Sequence, residues 1–138
     1  MRRYKVINVK STRDIQFIDI TNEVKRYLIE RRVHDGILIV YTPHTTGGIT
    51  VNENADPAVT ADIEAFIRER IPREKYFKHS EGNSHAHIMS SYFSPSQTFI
   101  IDEGQLVLGQ WQNIYFCEFD GPRNRNIYLK IMPYPENE

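Results

Sequence analysis

The sequence predicts a single α+β domain, and three observations carry that prediction. Strand-like alternation fills both ends of the chain. Two helical periods interrupt it in the first half. Short turns rich in Gly, Pro and Asp separate the later strands. The chain has 138 residues, the usual size of one domain, and no linker, low-complexity run or internal repeat divides residues 1–138. With 40% hydrophobic residues it can bury a core without staples.

Residues 2–9 alternate, with Tyr4, Val6 and Asn8 on one face and Lys5, Ile7 and Val9 on the other. Residues 14–20 alternate more clearly, Ile15, Phe17 and Asp19 against Gln16, Ile18 and Ile20. Ser11-Thr12-Arg13 between them reads as a turn, so an N-terminal hairpin is expected. Thr21 is placed as an N-cap, and Val24, Tyr27 and Leu28 fall at helical spacing to about Arg31. Asp35-Gly36 breaks this helix before the buried strand GILIVYT, and residues 47–51 make another strand.

The second helix is the clearest element. Val59, Ile63, Phe66 and Ile67 recur at i, i+4, i+7 and i+8, Asp56 and Pro57 open it, and Pro72 stops it. Beyond residue 86 strands are expected at 87–93, 97–101, 105–108, 111–119 and 126–132. The tail 133–138 reads as a fraying end.

Charge and cysteine content narrow the function classes. The 17 Lys+Arg and 18 Asp+Glu leave a formal charge of -1, which excludes the strong basic footprint of a general nucleic-acid binder. One cysteine excludes an intrachain disulfide and suits a reducing cytosol. Cys117 itself reads as a small buried hydrophobe. No apolar run approaches the ~18 residues of a membrane span, and the N-terminus lacks a signal-peptide core. A soluble cytoplasmic protein without a membrane partner is expected. The phosphate loop GxxxxGK[ST], the dinucleotide fingerprint GxGxxG and the nucleophile elbow GxSxG are absent.

Four constellations could carry chemistry. His44 ends the most apolar strand, and His79, His85 and His87 crowd one short segment, KHSEGNSHAHI. Neutral imidazole is the commonest metal ligand near pH 7, and His85 and His87 would share one face of a strand. Val51-Asn52-Glu53-Asn54-Ala55-Asp56-Pro57 places four polar side chains in a strand-to-helix connection. Capping by Asn54 or Asp56 accounts for one of them. Glu53 is left as a general base, a metal ligand or a partner fixing a histidine tautomer. The run from Gly104 to Gln112 reads as a hairpin corner with Trp111 in the core and Gln112 on the opposite face. A core Trp111 would cost about 3–5 kcal/mol on truncation. The segment EFDGPRNR, residues 118–125, is either a solvated turn or an arginine pair that recognises an anion.

Taken together, HTTGGITVNENADPAVTADIEAF, HSEGNSHAHIMSS and GQLVLGQWQNIYFCEFDGPRNR resemble the YjbQ family, a family also labelled secondary thiamine-phosphate synthase. The resemblance runs from the N-terminal strands to Met132. It implies antiparallel sheets packed in a sandwich-like core with two main helices outside, and a homotrimer. Cyclic symmetry would let loops 79–87 and 120–125 meet across each junction, so the site is expected near a subunit boundary. The matching polar positions are His44, Asn52, Glu53, Asn54, Asp56, Asp62, His79, Glu81, Gly82, His87, Trp111, Gln112, Glu118 and a downstream arginine. His85 matches no fixed histidine, so the metal set becomes His44, His79 and His87. Gln110 and Asn113 depart from the family's usual Thr and Gly.

These positions imply Glu53, Asn52 and Asp62 as catalytic residues. They imply Asn54, Gln112, Glu118, Arg123 and Arg125 as substrate- or anion-binding residues. Three histidines suit a Zn-like divalent metal, whereas a synthase acting on a pyrophosphate would use Mg²⁺. The implied reaction joins a pyrimidine pyrophosphate to a thiazole phosphate, with a metal-dependent hydrolase as another enzymatic reading. The non-catalytic alternative is a trimeric binding protein for a metal or a small phosphorylated ligand.

Overall fold

The computed structural model describes residues 2–135, so Glu136, Asn137 and Glu138 of the expected fraying tail lie outside it. Eight strands and three helices follow in the order β1 (Lys5–Lys10), β2 (Gln16–Asp19), α1 (Thr21–Arg31), β3 (Gly36–Tyr41), β4 (Gly47–Glu53), α2 (Pro57–Arg70), α3 (Ser84–Phe93), β5 (Ser96–Asp102), β6 (Gln105–Leu106), β7 (Gln112–Glu118) and β8 (Asn124–Pro133). All strand pairs are antiparallel, in a five-stranded sheet β1-β8-β3-β5-β6 and a three-stranded sheet β2-β7-β4. The α+β class therefore holds.

The two sheets enclose the main core. Leu38, Val40, Ile127, Leu129 and Ile131 from the larger sheet meet Ile49, Ile114 and Phe116 from the smaller. Helix α1 lends Val24, Tyr27 and Leu28 to this same core, so it belongs to the packed interior. Asp19 starts α1 by accepting from Thr21 N–H (2.9 Å) and Thr21 Oγ1–H (2.6 Å). The smaller sheet is buried on both faces. Its other side packs Tyr115, Cys117 and Phe119 against Ile67 of α2 and Ala86 and Met89 of α3. That explains why the β7 run IYFC is continuously apolar rather than alternating.

Three sequence expectations are corrected. First, β1 and β2 form no hairpin: β1 pairs with β8 and β2 with β7, in different sheets. Segment 11–15 is a crossing between layers, which a short turn-like sequence permits as readily as a hairpin. Second, residues 87–93 are helical, not a strand. Ala86, Met89 and Phe93 recur at helical spacing and meet the smaller sheet, and that period overrides the strand propensity of the individual residues. Third, Trp111 is 56% exposed and outside both cores. It sits just before β7, at the tip of a connection that neither core reaches.

One glycine is required by a close approach. A Cβ on Gly121 would lie 2.0 Å from the Arg13 carbonyl, where Gly121 N–H also donates to Asp14 O.

Truncation of the two aromatics at opposite ends of this burial scale should separate cleanly. Phe116→Ala should cost about 3–5 kcal/mol, and Trp111→Ala about 0.5 kcal/mol. Urea unfolding of both variants checks this, and equal losses would contradict the placement of Trp111.

Candidate functional site

The site is built around Glu118 and Arg125, both buried and joined as a two-pronged ion pair. Arg125 Nε donates to Glu118 Oε1 at 2.8 Å, and Nη2 donates to Oε2. The carboxylate also accepts from Ser11 Oγ (2.7 Å) and Asp120 N–H (2.9 Å). The guanidinium also donates to Thr46 Oγ1 (2.8 Å) and Thr46 O (3.2 Å). Each charge is thus desolvated but paired and further hydrogen-bonded, the condition under which a buried pair persists. The sequence offered this pair as ligand-binding groups. The geometry commits both to one another.

Arg123 is different. It is nearly half exposed, and Asp120 holds it through its backbone oxygen (Nε, 2.8 Å) and carboxylate (Nη2, 2.9 Å). Glu81 stands 3.5 Å away. Asp120 also accepts from Asn83 Nδ2 at 2.7 Å. Burial pushes the Asp120 carboxyl up, but the bonds from Asn83 and Arg123 outweigh it and hold the group below the usual carboxylate range. Asn83 is itself buried, and its Oδ1 has no partner among the described residues.

The histidines gather around this core. His44 Nε2 accepts from Asn126 N–H at 2.9 Å, so the neutral ring carries its proton on Nδ1. Burial lowers the His44 pKa. The Arg125 and Arg123 charges lower it further, against an opposing pull from Glu118. His79 and His87 stack edge-to-face with centroids 5.2 Å apart, and His79 Nε2 is 3.9 Å from Glu81. His85 lies on α3 two residues from His87, roughly 200° around the helix, so the two do not share a face. Its pKa is lowered by burial and then by Arg73, and its Nδ1 is buried without a partner among the described residues.

The remaining predicted site residues stand elsewhere in the chain. Asn52 and Glu53 end β4, cross-strand from Asn113 and Gln112. Gly47 and Glu118 face each other at the other end of that ladder. Six register steps separate the two ends, about 20 Å. Asn54 accepts from Tyr115 OH (2.8 Å), and Gln112 Oε1 accepts from Gly109 N–H (2.8 Å). Asp62 is exposed on α2, and Asp56 caps that helix by accepting from Ala58 N–H (2.9 Å). The structure therefore brings His44, Glu118, Arg123 and Arg125 together, with His79 and His87 linked to them through Glu81. It does not bring Asn52, Glu53, Asn54, Asp62 or Gln112 to them within one chain. Reasoning from sequence missed Ser11, Thr46, Asn83 and Asp120 as the groups that hold the cluster. Asp120 was legible only as a turn residue.

A three-histidine metal site does not fit this arrangement. The Nε2 lone pair of His44 is taken by Asn126 and its Nδ1 is protonated, so neither nitrogen is free to ligate. Among the described residues no three His, Cys, Asp or Glu side chains are grouped to hold a metal ion.

Residues 5–134 match the family model described as UPF0047 protein YjbQ-like. The chain belongs to the YjbQ/UPF0047 family. It is 50% identical over 124 residues to the UPF0047 protein MJ1081 of Methanocaldococcus jannaschii, covering 90% of each chain. It is 48% identical over 129 residues to the UPF0047 protein YugU of Bacillus subtilis, covering 93% of this chain and 98% of that one. Among solved structures it resembles an uncharacterised YjbQ/UPF0047 protein of Clostridium acetobutylicum, with 52% identity, a TM-score of 0.90, and coverage of 93% and 99%. A YjbQ-like protein of unknown function from Sulfolobus solfataricus gives a TM-score of 0.90 at 31% identity, with coverage of 95% and 96%. These relatives establish the YjbQ family and its fold, and the family is uncharacterised.

Two outcomes follow from the site. Glu118→Ala should destabilise the fold by about 3–5 kcal/mol, because it strands the buried Arg125 charge, whereas Glu81→Ala should cost less than about 1 kcal/mol. Chemical denaturation of both variants tests this. His44 should titrate below 6.5 in NMR. Between that value and 6.5 the unfolded chain binds a proton that the native ring refuses. Stability should therefore fall as pH drops below 6.5, and His44→Gln should flatten that part of the profile.

Proposed function

We propose that this YjbQ-family protein is an enzyme acting on a small phosphorylated substrate, bound at the cluster of His44, Arg123, His79 and His87. The observation that carries the reading is the neutral, Nδ1-protonated His44 beside the arginines that depress its pKa. A neutral imidazole N–H donates to an anion without adding a full charge, and Arg123 supplies the charge-assisted bond. His79 and His87 have no pairing as tight as those of Arg125, which leaves them available for proton transfer. The reaction is the thiamine-phosphate synthase-like transfer that the family resemblance implies. Its two substrates both carry phosphate.

The second half of the site comes from another copy. Asn52, Glu53, Asn54 and Gln112 lie at the far end of the β4–β7 ladder from Arg123. A head-to-tail ring joins two different patches of the same chain, as this arrangement requires. A homotrimer is supported by the outer face of the five-stranded sheet, where Tyr41, Ile100 and Met132 are exposed. In such a ring Glu53 is the acid/base or positioning carboxylate for the neighbour's His44 cluster. Because His44 has no free lone pair, no step is assigned to a metal. A divalent ion held by His79 and His87 would need its remaining ligands from the neighbouring copy.

Light scattering should give roughly 49 kDa, three copies of the 16.2 kDa chain. Arg123→Ala should weaken thiazole-phosphate binding about tenfold or more, measured by calorimetry. Mixing Arg123→Ala with Glu53→Gln chains should restore turnover that neither has alone, since a mixed ring contains some intact sites. A 16 kDa species, or no restoration on mixing, would reject the shared site. Binding without turnover of the pyrimidine and thiazole substrates would favour the non-catalytic binding protein.

A further inference from the structure

A second anion site is suggested by the concavity between the start of β1, the end of α1 and β8. Its volume is about 440 Å³, and Arg2, Arg3, Lys5, Arg31 and Lys130 line it. Among the described residues no carboxylate lines it. Among the described residues none of these five cations makes an ion pair. Among the described residues Arg13, Arg68, Arg123 and Arg125 have carboxylate partners, and what sets these five cations apart is that they share one concavity. Glu23 and Glu30 line the neighbouring groove, beyond Lys5 and Tyr27, and stay out of salt-bridge range.

The cations are also held in place. Arg31 Nη1 donates to Tyr27 OH at 2.8 Å, and its guanidinium lies 5.8 Å from that ring's centroid. Lys130 Nζ donates to Arg3 O at 2.8 Å, and Arg2 stacks 5.5 Å from the Tyr4 ring. Five like charges sharing one concavity repel each other, and in a chain of net charge -1 nothing in general solubility calls for them. A multivalent anion relieves that repulsion at several points at once. The two tyrosine faces are already occupied by arginines, so the recognised chemistry is phosphate charge rather than an aromatic base.

We propose that this concavity binds an oligophosphate anion, as free triphosphate or as the triphosphate of a nucleotide. The site is separate from the His44–Arg123 cluster and does not rest on the function proposed there.

Calorimetry on the full chain, in an Arg123→Ala background that disables the other cluster, tests it with inorganic triphosphate, ATP, adenosine and orthophosphate. Triphosphate and ATP should bind with similar affinity, orthophosphate at least about tenfold more weakly, and adenosine not at all. Raising salt from about 50 to about 300 mM should weaken triphosphate binding. Arg31→Gln with Lys130→Gln, and independently the exposed Lys5→Glu, should weaken triphosphate about tenfold or more while the melting temperature stays put. Loss of triphosphate binding in the Arg123→Ala background alone would overturn the proposal. So would wild-type affinity in the basic-concavity variants, or adenosine binding as tightly as ATP.

Discussion

The architecture turns on the buried pair of Glu118 and Arg125. Glu118 ends β7 in the smaller sheet, and Arg125 begins β8 in the larger one, so the pair ties the two sheets directly. Ser11, which bonds to Glu118, lies on the crossing from β1 to β2. Thr46, which bonds to Arg125, lies on the crossing from β3 to β4. All three of these passages between sheets meet at one charged knot. An ion pair so placed contributes more to register than to net stability, because its desolvation offsets much of its attraction. Ser11 and Thr46 add hydrogen bonds to it, and an apolar substitute could not specify which loops meet there.

The same knot determines the chemistry beside it. Arg125 is buried against Glu118, which leaves Arg123, two residues earlier and half exposed, as the arginine that can meet a ligand. His44 feels both guanidinium charges, and Asn126 N–H selects its tautomer. A fold-stabilising interaction thus controls the protonation of a neighbouring functional group, in the way perturbed histidines are commonly produced. The Asp120 carboxylate links Arg123 to the loop before α3 through Asn83, and so positions His79 and His87 in the same neighbourhood.

Much of this was legible in the residues. The period of Val59, Ile63 and Ile67 with Asp56 and Pro57 specified α2 and its start, because capping and amphipathicity are local effects. Strand β3 was equally plain from GILIVY. Helix α3 was obscured because HIMSSYF carries both a β-like composition and a helical spacing, and only packing on the smaller sheet decides between them. Trp111 was misplaced because a large aromatic after a glycine corner has no local signal separating core from rim. The polar motif positions were recognisable as a set, but their division into two groups about 20 Å apart was not, since register along β4 and β7 is a pairing property.

The residues read alone specified the α+β class, the family, and the extents of α1 and α2 to within a residue or two. Those depend on composition, local period and motif order, which any short window carries. Tertiary structure alone decided that β1 and β2 belong to different sheets, that Arg125 is buried against Glu118 while Arg123 is half exposed against Asp120, and which nitrogen of His44 holds the proton. Each of those depends on which distant backbone or charge arrives next to the group, such as Asn126 beside His44 across 82 positions of chain. A side chain's chemistry is set by its neighbours in space, and only the folded chain supplies them.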